Sequence, residues 1–329
     1  MRFSLTFSRP RISSNFLLSC YRSACYYYHY HQMFRIILLG DSITQMSFCS
    51  PGGFGAHLAD VYQRRADVFN RGYSGYNTNW ILELLSTENN RDILFGGPSQ
   101  GSMATEASSV CTISSDHITS SNPLPSGAVR LIVLFLGAND ASCSVLNARQ
   151  HVPLETYQKN LISIMQISKQ HCPYAKFILV SPPPIHHEGR LQYQMSRYGP
   201  EGATGTLERT LQLSGQYAAA AQQVAKDMGI PAFLNLWSEM QDASPTSWHE
   251  YLSDGLHLSP SGNEFVGKRL VELIHLHHPE LAVHPCSLTG LYGNSASQSD
   301  MIQHGPWHDE VVDPLNYSHL FQKKTDDSN

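Results

Sequence analysis

The sequence contains no run of about 18 or more apolar residues, so it offers no candidate for a membrane-spanning helix. It also lacks any Cys-x-x-Cys pair. Its seven cysteines (Cys20, Cys25, Cys49, Cys111, Cys143, Cys172 and Cys286) are odd in number and irregularly spaced. That pattern suggests neither a zinc site nor a disulfide framework, and free thiols in a reducing compartment are the simpler expectation. There is no basic excess: the net charge is −5 and the pI is about 6.4, which argues against a nucleic-acid partner, since phosphate neutralisation needs a basic face. The Gly52-Gly53-Phe54-Gly55 stretch has neither the lysine of a phosphate-binding P-loop nor GxGxxG spacing. It reads as a turn before a helix, and no cofactor is expected from it.

Carboxylates are missing from the start of the chain, where the first is Asp41. Residues 1–32 carry Arg2, Arg9, Arg11 and Arg22 among many Ser and Tyr, the composition of an organellar transit peptide. Met33, directly before the first apolar run, would serve equally well as the start. A cytoplasmic protein is the expectation, and a mitochondrial one if 1–32 acts as a transit peptide. Either way, 1–32 is set apart from the fold as a disordered or transit-like extension.

What is present is an alternation. With 329 residues, 41% of them apolar, the chain can build one large α/β domain with appendages. FRIILL (34–39), DVFN (67–70), VRLIVLFL (129–136), KFILV (176–180) and PAFLNL (231–236) are short and apolar without polar alternation, as strands covered on both faces are. Helical stretches are expected between them, at 54–64, 77–85 with an Asn/Thr cap, 154–169, 205–228 and 260–277. Five strands alternating with helices imply a parallel sheet with a helical layer on each side, and ligands of such sheets lie beyond the carboxyl ends of the strands. The domain is expected to span 33–282. Within it, 87–127 is rich in Ser, Thr, Asn and Gly, too long for an ordinary connection, and is expected to be a disordered, low-complexity insertion or a lid. Residues 283–329 are expected to be a tail, partly packed through PWHDEVV (306–312) or disordered.

Three strand ends and one late loop carry compact polar groups. Ser42 follows the first strand and would either cap a helix or act as a nucleophile, given a base and an orienter for that base. Asp254 and His257, three positions apart around Gly255, could supply both, or could form an Asx-turn and a surface histidine. Gly75 and Asn139 follow the second and third strands, where a backbone N–H and a side-chain amide could face a developing oxyanion. A glycine turn and a helix cap are the plainer readings of the same two residues. To hold a metal, the histidines of HHEGR (186–190) and HLHHPE (275–280) would need a carboxylate or thiolate partner at matching geometry and a second shell, and no metal is expected there. Trp237, Met240 and Trp248 could wall a pocket or simply pack in the core.

In order and spacing, GDSITQ (40–45), SGYNT (74–78), GAND (137–140) and DGLH (254–257) resemble the four blocks of the SGNH (GDSL) hydrolase family. NRGYSGYNT, LGAND, SPPP and YLSDGLHLSPSGNEF resemble, more narrowly, isoamyl acetate-hydrolysing esterases and their homologues. The resemblance covers roughly residues 34–280. It implies a flavodoxin-like three-layer α/β/α sandwich around a five-stranded parallel sheet, without metal or cofactor. It further implies Ser42 as nucleophile, His257 as base and then acid, Asp254 as the carboxylate orienting His257, and Ser42, Gly75 and Asn139 as the oxyanion hole. The implied activity is hydrolysis of small-molecule esters, acetate esters of short alcohols first, through an acyl-enzyme. A thioesterase, lysophospholipase or carbohydrate deacetylase would use the same site, and a catalytically silent binding protein would keep the fold alone. The oligomeric state is not written in these patterns.

Overall fold

The computed structural model describes residues 33–50, 52–98, 125 and 127–283. The 1–32 extension, the 283–329 tail beyond Val283 and most of the 87–127 insertion lie outside the described residues. Five strands form one sheet: β1 (Phe34–Gly40), β2 (Ala66–Gly72), β3 (Val129–Phe135), β4 (Lys176–Val180) and β5 (Phe233–Leu234), in the order β2-β1-β3-β4-β5 and all parallel. The helices between them are α1 (Ser42–Gln45), α2 (Phe54–Val61), α3 (Thr78–Leu84), α4 (Glu88–Phe95), α5 (Leu154–His171), α6 (His187–Gly202), α7 (Leu211–Asp227), α8 (Leu236–Ala243) and α9 (Pro260–His277). No helix among the described residues is long and apolar enough to cross a membrane.

Strand side chains point alternately to opposite faces, and here both faces are covered. Ile36 and Leu38 of β1, Leu131, Val133 and Phe135 of β3, and Ile178 and Val180 of β4 pack with α2 and α9. Ile37 and Leu39, Ile132 and Leu134, and Leu179 pack with α3, α5 and α7. That double burial is why the strand sequences show no polar alternation, and it yields the expected three-layer α/β/α sandwich. In α5, the buried Tyr157, Leu161, Ile164, Met165 and Ser168 fall on one stripe at helical spacing.

The sheet order places the reversal of chain direction between β1 and β3, because β1 connects outward to β2 and the chain then returns to β3 on the other side. Open α/β sheets bind ligands in the crevice at that reversal, beyond the carboxyl ends of the strands. The strands end level there: Gly72, Gly40, Phe135, Val180 and Leu234 are successive register partners across the sheet.

Four sequence expectations need correction. The first part of 87–127 is a helix, α4, capped by Thr87 and closed by Gly96 in the left-handed region (φ 78°). Its Leu94 and Phe95 are buried in the core, and the Phe95 ring lies 5.2 Å from that of His171. Polar composition hid this helix because only its last turn faces inward. The fifth strand is two residues long rather than six, since the Asn235 side chain accepts from the Ser238 N–H and starts α8. The helix expected at 205–228 begins only at Leu211, where Thr210 caps it. Finally, α6 has no counterpart among the expected helices; its sequence is polar, and the helix is broken by a kink at Gly199 (φ 73°) directly before Pro200.

If α4 is part of the core, replacing Phe95 by alanine should lower the unfolding free energy by about 3 kcal/mol or more. Urea unfolding of Phe95→Ala checks this, and a loss below about 1 kcal/mol would show α4 to be only lightly attached.

Candidate active site

At the end of β1 the chain turns sharply into α1. Gly40 is required there, because a Cβ would run into the Phe135 carbonyl oxygen and the Thr44 side chain. The cap of α1 is Asp41, whose Oδ1 accepts from the Ile43 N–H at 2.9 Å. Ser42 is therefore the first helical residue, with its hydroxyl free of capping duty. Its backbone N–H belongs to the first turn, where no intrahelical acceptor exists.

The Ser42 hydroxyl lies 2.9 Å from His257 Nε2, although 215 positions separate the two residues. His257 Nδ1 lies 2.8 Å from Asp254 Oδ2. A carboxylate only accepts, so Nδ1 carries the proton and donates, leaving Nε2 as the acceptor for the hydroxyl. Asp254 also forms the Asx-turn that was its other reading. Its Oδ1 accepts from the N–H groups of Leu256 (3.0 Å) and His257 (2.8 Å) while Oδ2 faces the ring. The turn requires Gly255 in the left-handed region (φ 78°), and a Cβ there would collide with the His186 carbonyl and the Arg190 N–H. Burial alone would raise the Asp254 pKa. The hydrogen bond and charge of His257, its backbone N–H and the nearby Arg190 outweigh burial and hold it at about 2.

Gly75 and Asn139 share a partner, Gln150, whose Nε2 bonds the Gly75 carbonyl (2.8 Å) and Asn139 Oδ1 (3.2 Å). Gly75 sits at φ 82° in the loop after β2, which is fastened to the first strand end by Tyr73 N–H to Gly40 O (2.9 Å) and by Ser74 N–H to Gln45 Oε1 (2.8 Å). Asn139, buried after β3, does not cap a helix. Its Nδ2 donates to the Tyr76 carbonyl at 2.9 Å, while its Oδ1 accepts from Arg209 Nη2 (3.0 Å) and Gln150 Nε2 (3.2 Å). Two donors at one end and an acceptor at the other fix which way the amide points. The structure thus brings together Ser42, His257 and Asp254 by direct contact, and Gly75 and Asn139 through their shared loop partners.

Four residues of this region went unnoticed in the sequence. Arg190, on α6, places Nη1 3.2 Å from Asp254 Oδ2 and Nη2 3.4 Å from Glu208. Glu208 in turn meets Arg209 Nη1 at 2.6 Å. Gln150 Nε2 reaches the Gly75 carbonyl at 2.8 Å. The available signal was Thr210, a cap residue directly before an apolar-periodic run, which would have left Glu208 and Arg209 in a loop.

In HHEGR, His186 has a structural role. His186 Nδ1 accepts from the Gly189 N–H to cap α6, and its ring stacks on His249 at 4.7 Å. In HLHHPE, His275 Nε2 accepts from the Val283 N–H at 3.2 Å. Met240 is fully buried, Trp237 donates to the Leu211 carbonyl at 3.0 Å, and Trp248 packs against the core edge-on to His186.

Behind the strand ends lie two buried carboxylates. Burial pushes Asp41 up to about 6, against the Ile43 N–H and the charges of His257 and Arg209. Asp140 is pushed up to about 7 by burial, against two hydrogen bonds from Thr78 and with a further rise from Asp41. The second oxygen of each is buried without a partner among the described residues.

The family model of the GDSL-like lipase/acylhydrolase family matches residues 38–265. A GDSL esterase/lipase of Arabidopsis thaliana is 41% identical over 233 residues, covering 70% of this chain and 81% of its own. An isoamyl acetate-hydrolyzing esterase 1 homolog of Bos taurus is 38% identical over 241 residues, covering 73% of this chain and 81% of its own. A solved lipase/acylhydrolase from Enterococcus faecalis has 23% identity and a TM-score of 0.48, covering 74% of this chain and 95% of that one. That likeness is too distant to bear on the site.

The raised Asp140 pKa has a defined consequence for stability. Between the unfolded value near 3.8 and the folded value of about 7, the folded chain holds a proton that the unfolded chain has released. Stability from this group is therefore full below 3.8, falls as pH rises through that window, and is level above it. Asp140→Asn removes the effect. Relative to the wild type, the variant should gain on the order of 1.4 kcal/mol for each pH unit crossed within the window. Paired urea titrations at pH 5 and pH 8 measure the difference, and equal offsets at the two values would rule out the raised pKa.

Proposed function

Because the chain belongs to the GDSL-like lipase/acylhydrolase family and is a carboxylic ester hydrolase, we propose that it cleaves small uncharged esters through Ser42, His257 and Asp254. The observation that carries this reading is the unbroken pair of hydrogen bonds from Ser42 Oγ to His257 Nε2 (2.9 Å) and from His257 Nδ1 to Asp254 Oδ2 (2.8 Å). A serine hydroxyl is a weak nucleophile until a positioned base takes its proton, and the tautomer that Asp254 selects is the one able to do so.

The Ser42 oxygen attacks the ester carbonyl carbon as its proton passes to Nε2. The negative charge that develops on the carbonyl oxygen is received by the N–H of Ser42, the N–H of Gly75 and the Nδ2 of Asn139, each contributing about 3 kcal/mol if typical of such donors. The imidazolium formed at His257 is balanced by Asp254, whose pKa of about 2 keeps it ionised throughout the neutral range. His257 next gives the proton to the leaving alkoxide oxygen, and the alcohol departs from an acyl-Ser42. Water, deprotonated by the same Nε2, attacks the acyl carbon and releases the acid with Ser42 restored. Acetate esters of short alcohols are the substrate class of choice, a preference supported by the names of the relatives at 37–38% identity.

A fluorophosphonate probe should label Ser42 in the wild type and fail to label Ser42→Ala. Asp254→Asn should lower kcat by about 10³–10⁴-fold, because an amide no longer enforces the productive tautomer. Among p-nitrophenyl esters from acetate to palmitate, with acyl-CoA as a thioester control, activity should decline steeply beyond butyrate. Absence of labelling in folded protein defeats the serine mechanism, and a preference for long acyl chains or for acyl-CoA defeats the small-ester assignment.

A further inference from the structure

We propose that Arg209 and Gln150 are the positioning residues of the oxyanion hole, together fixing both donors that lie outside the nucleophile's own turn. This inference rests on the proposed roles of Gly75 and Asn139 and deepens them.

Arg209 is almost fully buried, and four of its five N–H bonds have assigned acceptors. Nε donates to the Ala138 carbonyl at 2.9 Å, which fixes the backbone immediately before Asn139. Nη2 donates to Asn139 Oδ1 at 3.0 Å and to Gln150 Oε1 at 2.7 Å. Nη1 is held by Glu208 at 2.6 Å. The rigid guanidinium fork therefore claims the oxygen end of the Asn139 amide and forces its NH₂ end to the opposite side, where one hydrogen bonds Tyr76 O. A lysine ammonium has no planar fork with which to hold a backbone carbonyl and two amide oxygens in fixed directions.

Gln150 extends the same arrangement to the second donor. With Oε1 occupied by Arg209 and by Asn147 Nδ2 (2.7 Å), its Nε2 is turned toward the Gly75 carbonyl (2.8 Å) and Asn139 Oδ1 (3.2 Å). Holding the Gly75 carbonyl fixes the peptide plane that follows the donor N–H, so the torsions of Gly75 itself (φ 82°) are all that separate the donor from a fixed plane. Gln150 is itself anchored at its main chain, since its carbonyl accepts from Asn77 Nδ2 at 2.9 Å. The value of an oxyanion hole lies in donors that need no reorganisation when charge appears, so residues that immobilise the donors act on the transition state rather than on substrate binding.

The test compares wild type with Gln150→Glu, Gln150→Met and Arg209→Lys, all checked for folding by urea titration. Gln150→Glu keeps an acceptor for Arg209 but replaces the donor facing the Gly75 carbonyl with oxygen. Each variant should lose about 10- to 100-fold in kcat, part of the roughly 10²–10³-fold lost when a donor itself is removed. KM should stay within about threefold, and the pH profile should keep its shape because His257 and Asp254 are untouched. Affinity for a trifluoromethyl ketone, which forms a charged tetrahedral adduct with the serine, should fall in step with kcat/KM. If both Gln150 variants fold and keep kcat within twofold of wild type, the inference is overturned. It is equally overturned if kcat falls while ketone affinity holds, since that is the pattern of a purely structural role. Should Arg209→Lys fail to fold, the two Gln150 variants decide the matter. Fluorophosphonate labelling of the wild type separates the two levels. A wild type that does not label defeats the serine mechanism and this inference together, whereas a labelling wild type with indifferent variants defeats only the positioning role.

Discussion

The parallel register that sets Gly72, Gly40 and Phe135 side by side is the constraint from which the rest follows. Three strands end on one line, so the residues a few positions beyond each end are delivered to one crevice whatever their separation in sequence. A slip of one residue in β1 would exchange Ile36 and Leu38 with Ile37 and Leu39 between the two helical layers. Both layers would then have to repack, and Ser42 would leave the turn. Register is thus held by burial on both faces of the sheet, and the geometry of the site is a by-product of that burial. Chemistry at the rim needs side chains fixed to within a fraction of an ångström, and the sheet supplies the rigid base for this.

A second constraint is the alternation of charge behind the rim. Asp254, Arg190, Glu208 and Arg209 form a chain of opposite neighbours, with contacts of 3.2, 3.4 and 2.6 Å. Two guanidinium groups, each almost fully buried, would be costly alone, and each is offset by a carboxylate beside it. The balance shows in Glu208, which burial would raise but which its own backbone and the two arginines hold below the ordinary value. One end of the chain, Asp254, is the partner of His257, and the other, Arg209, touches the amide of Asn139. The two halves of the site therefore share one electrostatic framework, even though Asn139 and Asp254 are 115 positions apart in the sequence.

Sequence patterns made the sheet and its two covering layers legible, because strands such as VRLIVLF and the stripe of α5 carry their burial in their composition. Ser42, Gly75, Asn139, Asp254 and His257 stood out because each belongs to a short block of unusual composition at a strand end or tight turn. The residues that support them did not. Gln150 lies in a turn-rich loop, and Arg190 lies on a helix whose polar sequence gives little periodic signal. Arg209 was placed inside an expected helix that in fact begins two residues later. Their importance is a matter of which groups they meet 59 to 75 positions away, and no local spacing encodes that. The helix α4 was hidden for a related reason: eight residues with two inward-facing side chains are too few to show a period.

Capping and contact with the imidazole are divided between neighbouring side chains at the first strand end and, within Asp254, between two oxygens. Asp41 takes the cap of α1 with Oδ1, which releases the adjacent serine hydroxyl to face His257. Asp254 gives Oδ1 to the backbone of the turn and keeps Oδ2 for the imidazole. A carboxylate has about four acceptor positions, enough to hold a backbone and address a partner at once, whereas a hydroxyl engaged in capping has committed its best lone pair. Placing carboxylates at both structural corners leaves the hydroxyl and the imidazole without backbone duties. This division of labour lets a turn of four helical residues and a turn around one glycine hold the hydroxyl and the imidazole 2.9 Å apart, with neither bonded to the backbone of the turn that carries it.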